Sequence, residues 1–127
     1  MFRDISNAAV EKAIIGLTRR HEAIASNLAN LETPGYRPRR VHFEDALQRA
    51  VERETELSDG GAGLQEIEAV QPRNRMQPGA GGSPGNMSVE RELTDLAITN
   101  LHHEALTRIL ARQYGMLRTA ITGGGRG

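Results

Sequence analysis

Apolar side chains recur through the first third of the chain at Val10, Ile14, Leu17, Ile24, Leu28 and Leu31, with His21 the one polar member of the series. The steps alternate between four and three residues, a 3.5-residue seam that predicts a helix packed along its length against another helix. Glu11, Lys12, Arg19, Arg20 and Glu22 fall between the seam positions and form a solvated face. From about Asp4 to Leu31 such a helix is roughly 42 Å long at ~1.5 Å per residue. The last third repeats the pattern: Val89, Leu93, Leu96, Asn100, His103, Thr107, Leu110, Tyr114, Leu117 and Ile121 step in threes and fours, with Leu101, Leu106 and Ile109 widening the stripe. Ser88 is placed to cap this second helix, and Glu90 and Glu92 set negative charge in its first turn, where the helix dipole favours it.

Between the two seams the pattern breaks. Pro34 lacks a backbone donor and pushes Thr33 out of the helical region, so the first helix stops there. Pro34-Gly35 fits the central pair of a type II turn, and Pro38 keeps the following residues extended. Val41 to Arg53 allows a short helix around Phe43, Leu47 and Val51, and Leu64 to Val70 allows one short strand. From Asp59 to Asn86 the chain is rich in Gly and Pro, a composition expected to stay mobile unless a partner orders it. The expectation is a mainly α fold. Long N- and C-terminal amphipathic helices pack as a coiled-coil-like pair around a flexible Gly/Pro-rich middle that holds at most a short helix or strand. The divisions are residues 1–33, 34–88 and 89–127, all within one structural domain.

Composition sharpens this in one respect. Four aromatic residues, no Trp and an alanine-rich hydrophobic fraction leave little for a large core, so the stripes call for burial against other subunits. Sixteen basic and sixteen acidic residues balance, which removes any whole-molecule argument for nucleic acid. The absence of Cys excludes disulfides and thiolate metal sites. Charges at Arg3, Asp4, Glu11 and Lys12 interrupt the N-terminal stretch, which therefore lacks the unbroken apolar run of a signal peptide. No nucleophile–base set or phosphate-cradling Gly loop is visible. His102 and His103 point about 100° apart on a helix and do not readily share one metal ion. The expectation is therefore no catalytic residues, no cofactor and no metal. Arg37, Arg39 and Arg40 form the densest basic patch, read as a solvated loop or an ionic contact to an acidic neighbour.

The foot of the first helix carries the most specific signal. In SNLANLETPGYRPRRVHFEDAL, residues Asn27, Asn30, Thr33, Pro34, Gly35 and Tyr36 form an Asn-x-x-Asn-x-x-Thr-Pro-Gly-Tyr segment. This segment resembles the N-terminal signature of the bacterial flagellar rod and hook proteins. The short chain and the C-terminal stretch VERELTDLAITNLHHEALTRILARQYGMLRTAI are similar to the proximal rod members. The resemblance covers both termini. It implies a structural, non-enzymatic subunit whose terminal helices pack in a helical array, forming the drive shaft between the membrane-embedded base and the hook. The implied partners are other copies, other rod proteins, and the base and export-gate proteins of the flagellum, with no nucleic acid and no small-molecule substrate. Export would follow the flagellar type III route without a cleaved signal peptide. The signature residues are expected at a subunit contact, and Val10, Ile14, Leu17, Ile24, Leu28, Leu31, Leu93, Leu96, Leu110, Tyr114 and Leu117 along the packing seams. Phe43 and Leu47 resemble the Phe-x-x-x-apolar element that such substrates show to the export gate; they also read as one turn of a small helix over local core. The competing reading is a small helical coiled-coil adaptor or chaperone that forms a soluble oligomer.

Overall fold

The computed structural model describes residues 2–57, 64–76 and 88–123. The elements are α1 (Phe2–Ala29), β1 (Arg39–His42), α2 (Glu44–Glu56), α3 (Gln65–Glu68), β2 (Arg73–Met76) and α4 (Val89–Gly123). The two long helices run antiparallel, because Asn27 meets Glu92, Thr18 meets His103 and Glu11 meets Tyr114. The mainly helical fold and the pairing of its terminal helices are as the two seams require.

The middle is more structured than its composition suggests. β1 and β2 form an antiparallel ribbon, with Arg39 opposite Met76 and His42 opposite Arg73. α2 begins at Glu44 and not at Val41 as expected, because Val41 and His42 are taken up in the extended β1. The segment around Ile67 is a helical turn and not the expected strand. A strand would put Leu64, Glu66, Glu68 and Val70 on one face, mixing apolar and acidic side chains. The helical turn instead puts Leu64, Ile67 and Val70 together, and Ile67 and Val70 are buried. Its ends are held from outside: Glu54 accepts the Glu66 N–H at 2.6 Å, and the Lys12 ammonium donates to the Glu68 carbonyl at 2.9 Å. The rest of the stretch expected to be mobile, residues 59–63 and 77–86, lies outside the described residues.

The core sits between α1 and this middle layer. Ile5, Leu17 and Ala23 of α1 pack against Val41, Phe43, Leu47, Ala50, Ile67 and Val70. Gly16 makes that approach possible, since a Cβ there would lie 2.5 Å from the Phe43 ring. α4 adds Leu106 at the margin. The face α4 turns inward bears buried Glu92 and Thr99 and half-buried Leu96, His103, Leu106, Leu110 and Gln113. That is again a three–four stepping, but rotated by part of a turn from the apolar series. Leu93 and Tyr114, expected on the seam, are both 50 % exposed, and Leu117, which continues the inward series near the end of α4, is 45 % exposed. The rotation has a local cause: Glu92 is drawn inward by the polar partners described next, and Leu93, its neighbour in sequence, then faces out.

Candidate functional site

The turn that follows α1 is built by its own side chains. The Asn30 N–H reaches the carbonyls of Ser26 and Asn27 at 3.1 and 3.3 Å, and its side-chain amide donates to Ser26 at 2.8 Å. The carbonyls at the helix end are thereby satisfied. Thr33 donates from its backbone to the Asn30 carbonyl and from its hydroxyl to Asn30 Oδ1. The Tyr36 N–H closes the turn on the Thr33 carbonyl at 3.2 Å, with Gly35 at φ +76°. That φ is the left-handed value a type II turn demands at this position, which glycine adopts without strain.

Asn27 is the centre of what the turn brings together. It is fully buried. Its Oδ1 accepts the Arg39 N–H at 2.9 Å and the Tyr36 hydroxyl at 3.1 Å. Its Nδ2 donates to the Arg39 carbonyl at 3.0 Å and to Glu92 Oε2 at 3.2 Å. Tyr36 has one hydroxyl proton, which goes to Asn27, so the 2.9 Å contact with Ser26 has the serine donating. The paired bonds to Arg39 imitate an adjacent strand: the amide satisfies both backbone groups that β1 turns away from β2. Two helical turns earlier, Arg20 does the same for the Val41 carbonyl at 2.8 Å. α1 side chains thus cover the free edge of β1, which would otherwise be an open template for pairing.

Glu92 is also fully buried and belongs to the same cluster. Arg40 holds it in a forked contact, Nη2 to Oε1 at 2.6 Å and Nη1 to Oε2 at 3.2 Å, and Nη1 also lies 3.5 Å from Asp95. Burying a carboxylate is costly unless opposite charge and donors surround it; here a bidentate guanidinium and an amide supply both. The cluster joins α1, β1 and α4 at one end of the molecule and fixes the rotational phase of α4. A second ionic contact lies further along α1. Arg20 pairs with Glu44 and stacks over Phe43 with its guanidinium carbon 5.0 Å from the ring centroid. Burial pulls the Glu44 carboxyl up, but its own backbone N–H, the Arg20 guanidinium and the Phe43 N–H outweigh this and hold it below the usual carboxylate range. Near the other end of the helix pair, Tyr114 donates to Glu11 at 2.6 Å, and that bond, with the carboxylate's charge, raises the Tyr114 phenol above its ordinary value.

The sequence-read residues fall into three groups. Asn27, Asn30, Thr33 and Tyr36 are joined by hydrogen bonds within the chain, while Thr33, Pro34 and Gly35 lie exposed at the tip of the turn. Leu17 and Ile24 are buried, and Val10, Ile14, Leu28, Leu31, Leu96 and Leu110 are half-buried. Phe43 and Leu47 are buried in the core. The three arginines of the basic patch separate: Arg40 turns inward to Glu92, and Arg37 and Arg39 stay exposed. In the sequence Glu92 is only first-turn charge, and nothing in its spacing announces a buried partner 52 residues away. Among the described residues no group of three His, Cys, Asp or Glu side chains gathers to hold a metal, and no helix is long and apolar enough to cross a membrane.

Comparison with known proteins bears on the same segment. A family model described as flagella basal body rod protein matches residues 12–37, the stretch from mid-α1 through Tyr36 and into the loop before β1. The flagellar basal body rod protein FlgB of Bacillus subtilis (strain 168) is 26% identical over 124 residues, covering 91% of this chain and 92% of that protein. The FlgB of Aeromonas hydrophila is 26% identical over 117 residues, covering 84% of each. With α1 ending in the hydrogen-bonded Asn27–Tyr36 turn and the FlgB likeness running nearly end to end, the chain is similar to the flagellar basal body rod proteins.

Proposed function

We propose that this chain is a structural subunit of the flagellar basal body, built into the proximal rod by helical self- and co-assembly and needed for motility. The observation that carries the reading is the division of labour between the helices. α1 is covered by the middle layer and clasped to α4 through Asn27, Arg40 and Glu92, while α4 keeps Leu93, Ile98, Leu101, Ile109, Met116, Leu117 and Ile121 between 45 % and 70 % exposed. Seven large apolar side chains left this exposed on one helix of a small chain call for coverage by another molecule. Its place would be the rod where it crosses the periplasm, and its work mechanical, not enzymatic. Torque would pass through many small helix contacts. The exposed Thr33–Pro34–Gly35 tip supports a contact there with a neighbouring subunit.

Export is part of the same proposal. The chain would leave through the flagellar type III apparatus without a cleaved signal peptide, showing Phe43 and Leu47 to the gate. Both are buried in the folded chain, so only the unfolded chain presents them. Phe43→Ala should therefore stay in the cytoplasm. Core destabilisation does not retain a chain that travels unfolded, so secretion of Phe43→Ala at the wild-type rate would defeat the gate reading.

The decisive experiment is deletion and complementation. Cells lacking the chain should not swim, and their basal bodies should lack a rod. The wild-type gene should restore both, and Leu17→Asp/Ile24→Asp, which charges two of the most buried α1 positions, should restore neither. Swimming deletion cells, or a purified chain that forms a fixed soluble dimer or tetramer, would favour the adaptor reading instead.

A further inference from the structure

The ribbon of β1 and β2 has two long edges. The β1 edge is covered: the Arg39 N–H and carbonyl both go to Asn27, and the Val41 carbonyl accepts from Arg20. Those bonds also fix the phase of the ribbon. In an antiparallel pair, residues that bond across the ladder alternate with residues whose backbone groups point away from it. Arg39 and Val41 point away, so the ladder bonds run through Arg40–Arg75 and His42–Arg73. Asn74 and Met76, opposite Val41 and Arg39, then turn their N–H and carbonyl groups to the outer side of β2. Among the described residues nothing meets those groups, and all four residues of β2 are exposed. We propose that this edge docks an extended segment of a partner protein that bears carboxylates on alternate residues, added as a third, antiparallel strand. The inference goes beyond the rod reading and does not rest on it.

Two observations select that occupant. The first is charge at matched spacing. Arg73 and Arg75 share one face of β2 and have no ion pair among the described residues. Arg75 stands opposite Arg40, a like-charge pair in which Glu92 has already taken the inner guanidinium and nothing offsets the outer one. A strand added outside β2 meets Arg73 and Arg75 at its close positions, with Cα atoms about 4.5 Å apart. Carboxylates two residues apart on that strand fall on the same face and reach both guanidiniums. The second observation excludes the other occupants. The β2 edge of a second copy would set arginine against arginine. The chain's own residues 77–87 contain two prolines and no Asp or Glu, and residues 58–63 contain Asp59 as their one carboxylate. The charges that keep copies of this edge apart are thus the ones that admit an acidic strand.

Fluorescence anisotropy with a labelled, end-blocked peptide of alternating Glu and Thr, added to the purified chain, tests this against the same peptide with Lys in place of Glu. The Glu peptide should bind about three- to thirty-fold more tightly, and Arg73→Glu/Arg75→Glu should reverse the order. N-methylation of the Thr amides, which face β2 in this register, should weaken binding by about five-fold or more, while N-methylation of the Glu amides, which face away, should change it by less than about two-fold. Asn74→Pro removes only an outward N–H. It should leave the thermal melt close to that of the wild type and still weaken the Glu peptide. No binding at about 1 mM peptide, equal affinity for the Glu and Lys peptides, or equal losses from the two methylations would overturn the docking edge. Each of those results would leave the rod reading as it stands.

Discussion

Asn27→Asp replaces one NH₂ by an oxygen, and the clasp gives that exchange a large and specific cost. Asn27→Ala is the reference. It strands the Arg39 N–H and carbonyl, which have no water at hand because the position is fully buried, and it removes one donor from Glu92. At about 1–3 kcal/mol for each of the two stranded groups the loss is about 2–6 kcal/mol. For a chain of this length that is on the order of 10 °C in Tm. Asp keeps the two acceptor roles toward Arg39 and Tyr36. Its second oxygen, however, faces the Arg39 carbonyl and Glu92 Oε2 at the 3.0 and 3.2 Å now spanned by the amide. Two carboxylate charges at that separation repel by about 5 kcal/mol at an effective dielectric of ~20, before Arg40 offsets part of it. Asn27→Asp should therefore melt below Asn27→Ala at neutral pH, although it is the more conservative change. Lowering the pH into the carboxylate range lets one proton bridge the pair, so the gap should narrow or reverse there. Thermal melts followed by circular dichroism at neutral and mildly acidic pH measure this. An Asn27→Asp chain as stable as Asn27→Ala at neutral pH would refute the placement of the amide against Glu92.

Two further substitutions test the rest of the structure. Gly16→Ala and Gly115→Ala raise helix propensity equally, by about 1 kcal/mol, yet should shift stability in opposite directions. A Cβ at Gly115 meets nothing within 4 Å, whereas one at Gly16 meets the Phe43 ring at 2.5 Å and should cost about 1–3 kcal/mol in overpacking; equal shifts in denaturant midpoint would contradict the packing. Glu44 has its carboxyl lowered in the folded chain, so its contact with Arg20 adds stability above the ordinary carboxylate range and loses it as pH falls through the lowered value. Because Glu44 is half exposed, screening holds this to at most about 1 kcal/mol. Glu44→Gln should therefore be slightly less stable than wild type at neutral pH and indistinguishable once the pH has fallen below the lowered value, and a difference that grows on acidification would reverse the assignment.

The two long helices and the turn between α1 and β1 are legible in the sequence because their causes are local. A 3.5-residue seam, a proline without a donor and a glycine at positive φ each act within a few residues. The middle layer is less legible because its causes are distant. The turn of helix at Gln65–Glu68 forms because Glu54 and Lys12, far apart in the chain, hold its two ends. The phase of α4 is the clearest case. Its apolar series points to Leu93, but the inward face is set by Glu92 in contact with Asn27 and Arg40, one ionic cluster overriding the leucine beside it. The motif itself was legible as a signature and not as a mechanism: nothing in its letters says that Asn27 stands in for a strand along β1.

In the free subunit α4 is only half covered. Hydrogen–deuterium exchange, compared between the purified chain and intact basal bodies, measures this directly. In the free chain, amides of α1 from Gly16 to Asn27 and of β1 should exchange slowly, and those of α4 from Leu101 to Ile121 much faster; on assembly the α4 amides should become protected by at least an order of magnitude. An α4 already as protected as α1 in the free monomer, with no further change on assembly, would contradict the account.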